Sequence, residues 1–162
     1  MRCVCQIVSR AAVSVNGAPH AEIGRGMLLL VGVSVRDTEN DAMRLAQRIA
    51  KLRIFPDEAG KLNLALCHPA VRGDLLVVSN FTLYADCAAS RRPSFSGAAS
   101  GNQAQSLFDC FLASLRLAFQ NEAEEHPDYG VPLIATGEFG ADMQIDLVND
   151  GPITLTYDTE TF

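Results

Sequence analysis

Two short segments hold residue types that could act on a substrate. In the first, Ser79-Asn80-Phe81-Thr82-Leu83, hydroxyl and amide side chains interrupt a strongly apolar run. Such groups either find partners within a bulge or face a cleft, because a buried polar group without a partner is costly. In the second, Asn149-Asp150-Gly151-Pro152-Ile153-Thr154, a Gly-Pro pair separates two β-rich stretches. It reads as a hairpin turn, a tighter turn, or a cis peptide, since only the bond before Pro makes cis inexpensive.

The common catalytic constellations are missing. There is no Gly-x-Ser-x-Gly elbow, phosphate loop, dinucleotide fingerprint or metalloprotease helix. A Ser/His/Asp triad could be assembled from scattered residues, as in any chain of this size, so it carries no signal. His20, His68 and His126 share no ligand spacing, and the adjacent Cys67-His68 has no companion pair, so no metal and no cofactor are expected. Cys3 and Cys5 alternate on one face of a strand, which suits a buried apolar pair better than a clamp. The five cysteines are odd in number and scattered, which argues against a disulfide framework.

The elements that must position these segments follow from periodicity and turn chemistry. Residues 2–8 and 11–15 read as short β-runs followed by an Asn16-Gly17 hairpin turn, and Met27–Val35 as a strand buried on both faces. A helix follows Thr38, which with Asp41 forms a variant capping box. Ala42, Leu45, Ala46, Ile49 and Ala50 form its apolar stripe, and Arg44, Arg48 and Lys51 its solvated face. Pro56–Gly60 is a turn. Asp74–Ser79 is a second buried strand, extended by Phe81–Ala85, and residues 86–103 form a loop rich in small residues and Arg.

A second amphipathic helix carries Ala104, Leu107, Phe108, Phe111, Leu112, Leu115 and Phe119 on one face, and Asn121–Tyr129 is an acidic connector. Val131–Thr136, Met143–Val148 and Ile153–Tyr157 are strands, with the Gly-Pro segment as a sharp break between the last two. The pattern predicts a mixed α/β fold: a largely antiparallel, β-barrel-like sheet with two amphipathic helices.

At 162 residues and 48% apolar content, residues 1–162 are expected to form a single domain with a packed core. No apolar run is long enough to span a bilayer as a helix, and the opening Met-Arg-Cys-Val-Cys lacks a secretory signal core, so a cytoplasmic location without a membrane partner is expected. The net charge of −6 is uneven. Residues 1–92 hold twelve Lys and Arg against eight acids, whereas residues 93–162 hold only Arg116 against eleven. An acidic chain is poorly suited to coating long nucleic acid, although a local basic patch could grip one RNA end.

In order and spacing, these segments resemble the D-aminoacyl-tRNA deacylase family (D-tyrosyl-tRNA deacylase-like) over nearly the whole chain. Met1–Val13 is similar to that family's first hairpin, and Ala50–Asn63 to its first helix exit. Ser79–Asp86 with Arg91–Ser96 resembles the first active-site motif and its following loop, and Thr136–Met143 and Val148–Thr154 resemble the closing strands and second motif.

The resemblance implies hydrolysis of the ester bond of mischarged aminoacyl-tRNA, D-aminoacyl-tRNA or glycyl-tRNA, releasing free amino acid and tRNA as proofreading in translation. It implies a homodimer in which Gly151-Pro152 of one subunit enters the partner's pocket beside Ser79, Asn80, Phe81 and Thr82. There a rigid main chain would reject an L side chain sterically. It implies that the backbone N–H groups of Phe81 and Thr82 stabilise an oxyanion, that Thr82 positions the substrate or is a nucleophile, and that Phe139 and Met143 line the adenine or amino-acid pocket. Phe139 and Met143 would equally suit a core.

Two positions depart from the family pattern. Asn80 stands where its first motif carries Gln, and Ile7 where its opening strand carries an Arg that helps hold the Gly-Pro element. Asn in that motif is similar to the animal-type tRNA deacylases, which accept L-alanine on a wrong tRNA, so relaxed selectivity for L-alanyl-tRNA is an alternative. A non-catalytic module binding a nucleic-acid end is the alternative of another class. The acidic sequence and its short run beyond the Gly-Pro motif speak against it.

Overall fold

A computed structural model describes every residue except Ala89 and Ser90. The expected loop over 86–103 is seen on both sides of that pair, which itself lies outside the described residues.

The chain opens on β1 (Arg2–Val15), one 14-residue strand where two short runs were expected. Asn16 and Gly17, both at positive φ (50° and 80°), then turn it into β2 (Ala18–Ile23). β3 (Gly26–Gly32) leads to α1 (Glu39–Ala50), whose capping box uses Thr38 and Asp41 as predicted. The small hairpin β4 (Arg53–Pro56) and β5 (Leu62–Ala65) flanks the Pro56–Gly60 turn. After β6 (Asp74–Ser79) come a 3₁₀ turn (Phe81–Tyr84) and α2 (Gly101–Glu125). β7 (Ile134–Thr136) and the 16-residue β8 (Met143–Asp158) close the fold.

β1 is the hub of the sheet, pairing antiparallel with β2, β3 and β8, while β3–β6 and β6–β7 are parallel. The result is a nearly closed, barrel-like sheet, mostly antiparallel. β3 and β6 are apolar without alternation because both of their faces are covered. Leu29, Val31, Leu75 and Val77 pack toward α1 and α2, whereas Leu28, Leu76 and Val78 pack with Val8, Ala11, Val13 and Ile23 on the other face. The helices fit the predicted stripes: Ala42, Leu45, Ala46, Ile49 and Ala50 are buried on α1, and Leu107, Phe108, Phe111, Leu112, Leu115 and Phe119 on α2. Cys3 and Cys5 are buried on the helix side, and burial pushes the Cys5 thiol up to about 12.

Further boundaries differ from the sequence reading, and four of them have a physical reason in the structure. Phe81–Ala85 does not extend β6, because Asn80 caps a 3₁₀ turn with its own side chain and so competes with the ladder. Asn121–Glu125 is helix rather than connector: Glu122 is buried and ion-paired with Lys51 at 3.4 Å, which draws the acidic stretch onto the core. α2 also takes up residues 101–103 of the expected loop. The two closing strands are one, because β1 supplies ladder partners on both sides of the Gly-Pro segment. Among the described residues no helix is long and apolar enough to cross a membrane.

Candidate functional site

The parallel pair β3–β6 ends where both chains leave the sheet, and a cavity of about 390 Å³ opens there. Its floor is Val31, Val33 and Ser79. Asn80 and Phe81 enter from the 3₁₀ turn, and Ala99, Gly101 and Ala104 from the start of α2. Phe139, Gly140 and Ala141 come from the β7–β8 connection and Met143 from the start of β8. None of these lining residues carries an ionisable side chain. The cavity therefore cannot supply a side-chain acid or base, and its chemistry must come from dipoles, hydroxyls and positioning.

Asn80 organises its polar end. Its N–H donates to Val31 O at 2.8 Å as the last bond between the β6 end and β3. Its Oδ1 accepts the backbone N–H of Thr82 at 3.0 Å and the Thr82 hydroxyl at 2.5 Å. A backbone N–H can only donate, so the atom facing it is the amide oxygen, and the Nδ2 group is the end left for another acceptor. The N–H of Phe81, first in the turn, has no acceptor among the described residues. Sequence reasoning expected the N–H groups of Phe81 and Thr82 as a donor pair; that of Thr82 is already engaged, and Asn80 Nδ2 is the available second donor.

Tight packing fixes these groups. A Cβ on Gly32 would stand 3.0 Å from Asn80 O and 3.1 Å from Leu83 Cβ, so glycine lets β3 lie against the turn. A Cβ on Gly137 would stand 2.5 Å from Met143 Sδ, so glycine leaves room for the thioether at the cavity wall. Phe139 packs its ring 6.0 Å from that of Phe108, anchoring the opposite wall to α2. Phe81 is exposed at the mouth and meets Phe95 edge-on with centroids 5.0 Å apart.

Of the residues singled out from the sequence, Ser79, Asn80, Phe81, Phe139 and Met143 meet at this cavity. Thr82 sits behind Asn80, outside the lining. Gly151 and Pro152 are exposed and also lie outside it, and their peptide bond is cis. β8 pairs Thr154 with Gln6 and Asn149 with Val8, so residues 150–153 bulge out opposite Ile7 alone. Proline, which lacks an N–H, is tolerated where the ladder is broken in this way. The contribution of the α2 start was not foreseen; the small-residue run Gly97-Ala98-Ala99-Ser100-Gly101, read as loop, was its only trace.

Comparison with known proteins shows which family the sequence and fold resemble. The sequence pattern of the D-Tyr-tRNA(Tyr) deacylase family matches residues 4–158. A D-aminoacyl-tRNA deacylase of Thermosipho melanesiensis is 44% identical over 160 residues, covering 99% of this chain and 98% of its own. One from Geobacter sulfurreducens is 46% identical over 161 residues, covering 99% and 97%. Among solved structures, a c-Myc DNA unwinding element binding protein superposes with a TM-score of 0.79 at 34% identity, covering 98% of each chain. A probable eukaryotic D-amino acid tRNA deacylase superposes with a TM-score of 0.76 at 18% identity, covering 96% of this chain and 97% of its own, and shares the fold.

Proposed function

The chain belongs to the D-Tyr-tRNA(Tyr) deacylase family, and from that premise we propose that its cavity hydrolyses the ester joining a D-amino acid, or glycine, to the terminal adenosine of tRNA. The observation that carries this reading is a cavity with unengaged N–H donors and no ionisable side chain. An aminoacyl ester is already activated, and its ribose has a neighbouring hydroxyl. It needs a place for the negative charge of the tetrahedral intermediate more than it needs a strong base.

With the carbonyl oxygen held by Phe81 N–H and Asn80 Nδ2, water adds to the acyl carbon, directly or assisted by the ribose hydroxyl. Collapse of the intermediate breaks the bond to the ribose oxygen. The proton lost by the water is returned to that oxygen through solvent, giving free amino acid and tRNA. Thr82 serves by fixing Asn80: its hydroxyl proton is held by an amide oxygen, which is too weak a base to activate a nucleophile.

The reading includes a homodimer. Gly151 and Pro152 are exposed and outside the lining of their own cavity, and β8 beside them exposes Val148 and leaves Met143, Ile145 and Leu147 half covered. A second copy placed there would bring its Gly-Pro main chain over the cavity, closing off the space for an L side chain. The place of action is the cytoplasm, where charged tRNA is made and used.

Incubation of the purified protein with D-aminoacyl-, glycyl- and L-alanyl-tRNA tests the proposal. Loss of the D and glycyl esters is expected, and rapid loss of the L-alanyl ester would instead mark relaxed selectivity. If no ester is lost faster than in buffer while tRNA is still bound, the chain is a nucleic-acid-binding module. The relative named for binding a DNA unwinding element gives that second reading its footing.

A further inference from the structure

The Gly151–Pro152 excursion must be held by something other than the sheet ladder. Four residues, Asp150 to Ile153, face the single residue Ile7 across the β1–β8 pair. Ile7 is itself buried, 3% exposed, and its side chain offers no polar group. The tip also has no slack of its own: Gly151 has φ +117°, and a Cβ there would stand 2.6 Å from Ile153 Cγ1 and 2.9 Å from Ile153 N.

The base of the excursion is tied by side chains. Asn149 Nδ2 donates across it to Ile153 O and to Thr154 Oγ1, both at 3.3 Å, and Gln6 Nε2 donates to the same Thr154 oxygen at 3.1 Å. A carbonyl can only accept, so the amide nitrogen of Asn149 is the atom facing Ile153. Its Oδ1 is buried with no donor among the described residues, so the side-chain bonds Asn149 makes here are those of its nitrogen.

We propose that Asn149, acting through Ile153 and Thr154, is the positioning residue for the Gly151–Pro152 main chain, and therefore sets selectivity between D and L esters. This rests on the deacylase reading above, in which that main chain excludes the L side chain. Asn149 touches no substrate in this scheme. It closes the neck of the excursion, and Thr154 passes the tie on to Gln6 of β1.

The test compares kcat/KM for D-tyrosyl- and L-tyrosyl-tRNA in the wild type and in N149A, T154V and T154S, with dimer mass and melting temperature as controls. Thr154 is exposed, so T154V decides the matter even if N149A does not fold. N149A and T154V are expected to lower the D-to-L ratio about tenfold or more, the scale set by a misplacement of roughly 1 Å, with dimer mass unchanged. T154S, which retains the hydroxyl, is expected to restore the ratio. A ratio unchanged in N149A or T154V, or lost in T154S as fully as in T154V, overturns the role of Asn149 and leaves the deacylase reading standing. A wild type that cleaves neither ester overturns the deacylase reading itself.

Discussion

Asn80 and Thr82 form a closed pair: one amide oxygen receives both the backbone N–H of Thr82, at 3.0 Å, and its hydroxyl, at 2.5 Å. The pair leaves Asn80 Nδ2 and Phe81 N–H as the donors at the polar end of the cavity. The same side chain thus starts the 3₁₀ turn and furnishes part of the candidate oxyanion site.

Replacing Asn80 by Asp separates these two roles. A carboxylate still accepts from the Thr82 N–H, and Asn and Asp cap about equally well. The substitution removes the Nδ2 donor and sets a negative charge beside the developing oxyanion. N80D is expected to keep the melting temperature of the wild type and to lose about 10² to 10³ in kcat on D-aminoacyl-tRNA, the usual cost of one oxyanion donor. Calorimetry and single-turnover deacylation measure the two effects.

Thr82→Val removes the hydroxyl and keeps the backbone cap. Because Thr82 orients Asn80 and does not attack, T82V is expected to lose less than about tenfold in kcat, the worth of one hydrogen bond. A covalent nucleophile would instead lose several orders of magnitude, and an acyl-enzyme trapped by acid quench would reveal it.

Gly137→Ala tests the cavity wall. The added Cβ would meet Met143 Sδ at 2.5 Å, and this flexible end of a side chain must move rather than the backbone. A shift of one methyl-sized group in the cavity is expected to raise KM by roughly tenfold with a smaller change in kcat. Steady-state kinetics on D-tyrosyl-tRNA reads this directly.

The thiols give a check independent of activity. Burial raises Cys3 well above the usual thiol range, Cys5 to about 12 and Cys67 to about 11, so at neutral pH each is almost entirely the unreactive thiol. Cys87 is exposed. Alkylation of the folded protein at pH 7.5 is expected to mark Cys87 quickly and to spare Cys3, Cys5 and Cys67 until denaturant is added, as read by peptide mass spectrometry.

What the sequence disclosed and what it concealed divide along physical lines. Periodic features were legible: the α1 stripe with its Thr38–Asp41 cap, the α2 stripe, and the doubly buried β3 and β6. Each is a repeat of apolar residues or a local capping pair. The polar interruption at Ser79–Thr82 and the Gly-Pro segment were legible as anomalies. Features that depend on a distant partner were hidden. Whether β8 breaks depends on β1 pairing on both sides of residues 150–153. One local choice was hidden as well, because Asn80 takes the Thr82 N–H in place of a ladder bond and so ends the strand before Phe81. The helix start at Gly101, where small residues make room beside the cavity, lies just before Ala104, the first residue of the periodic stripe.

The most direct measurement is the fate of two matched esters. D-tyrosyl-tRNA and L-tyrosyl-tRNA, each incubated with the purified protein and with buffer alone, differ only at the α-carbon. The D ester is expected to disappear orders of magnitude faster with protein than without, while the L ester decays at the buffer rate. A D ester as long-lived with the protein as without it would contradict the account.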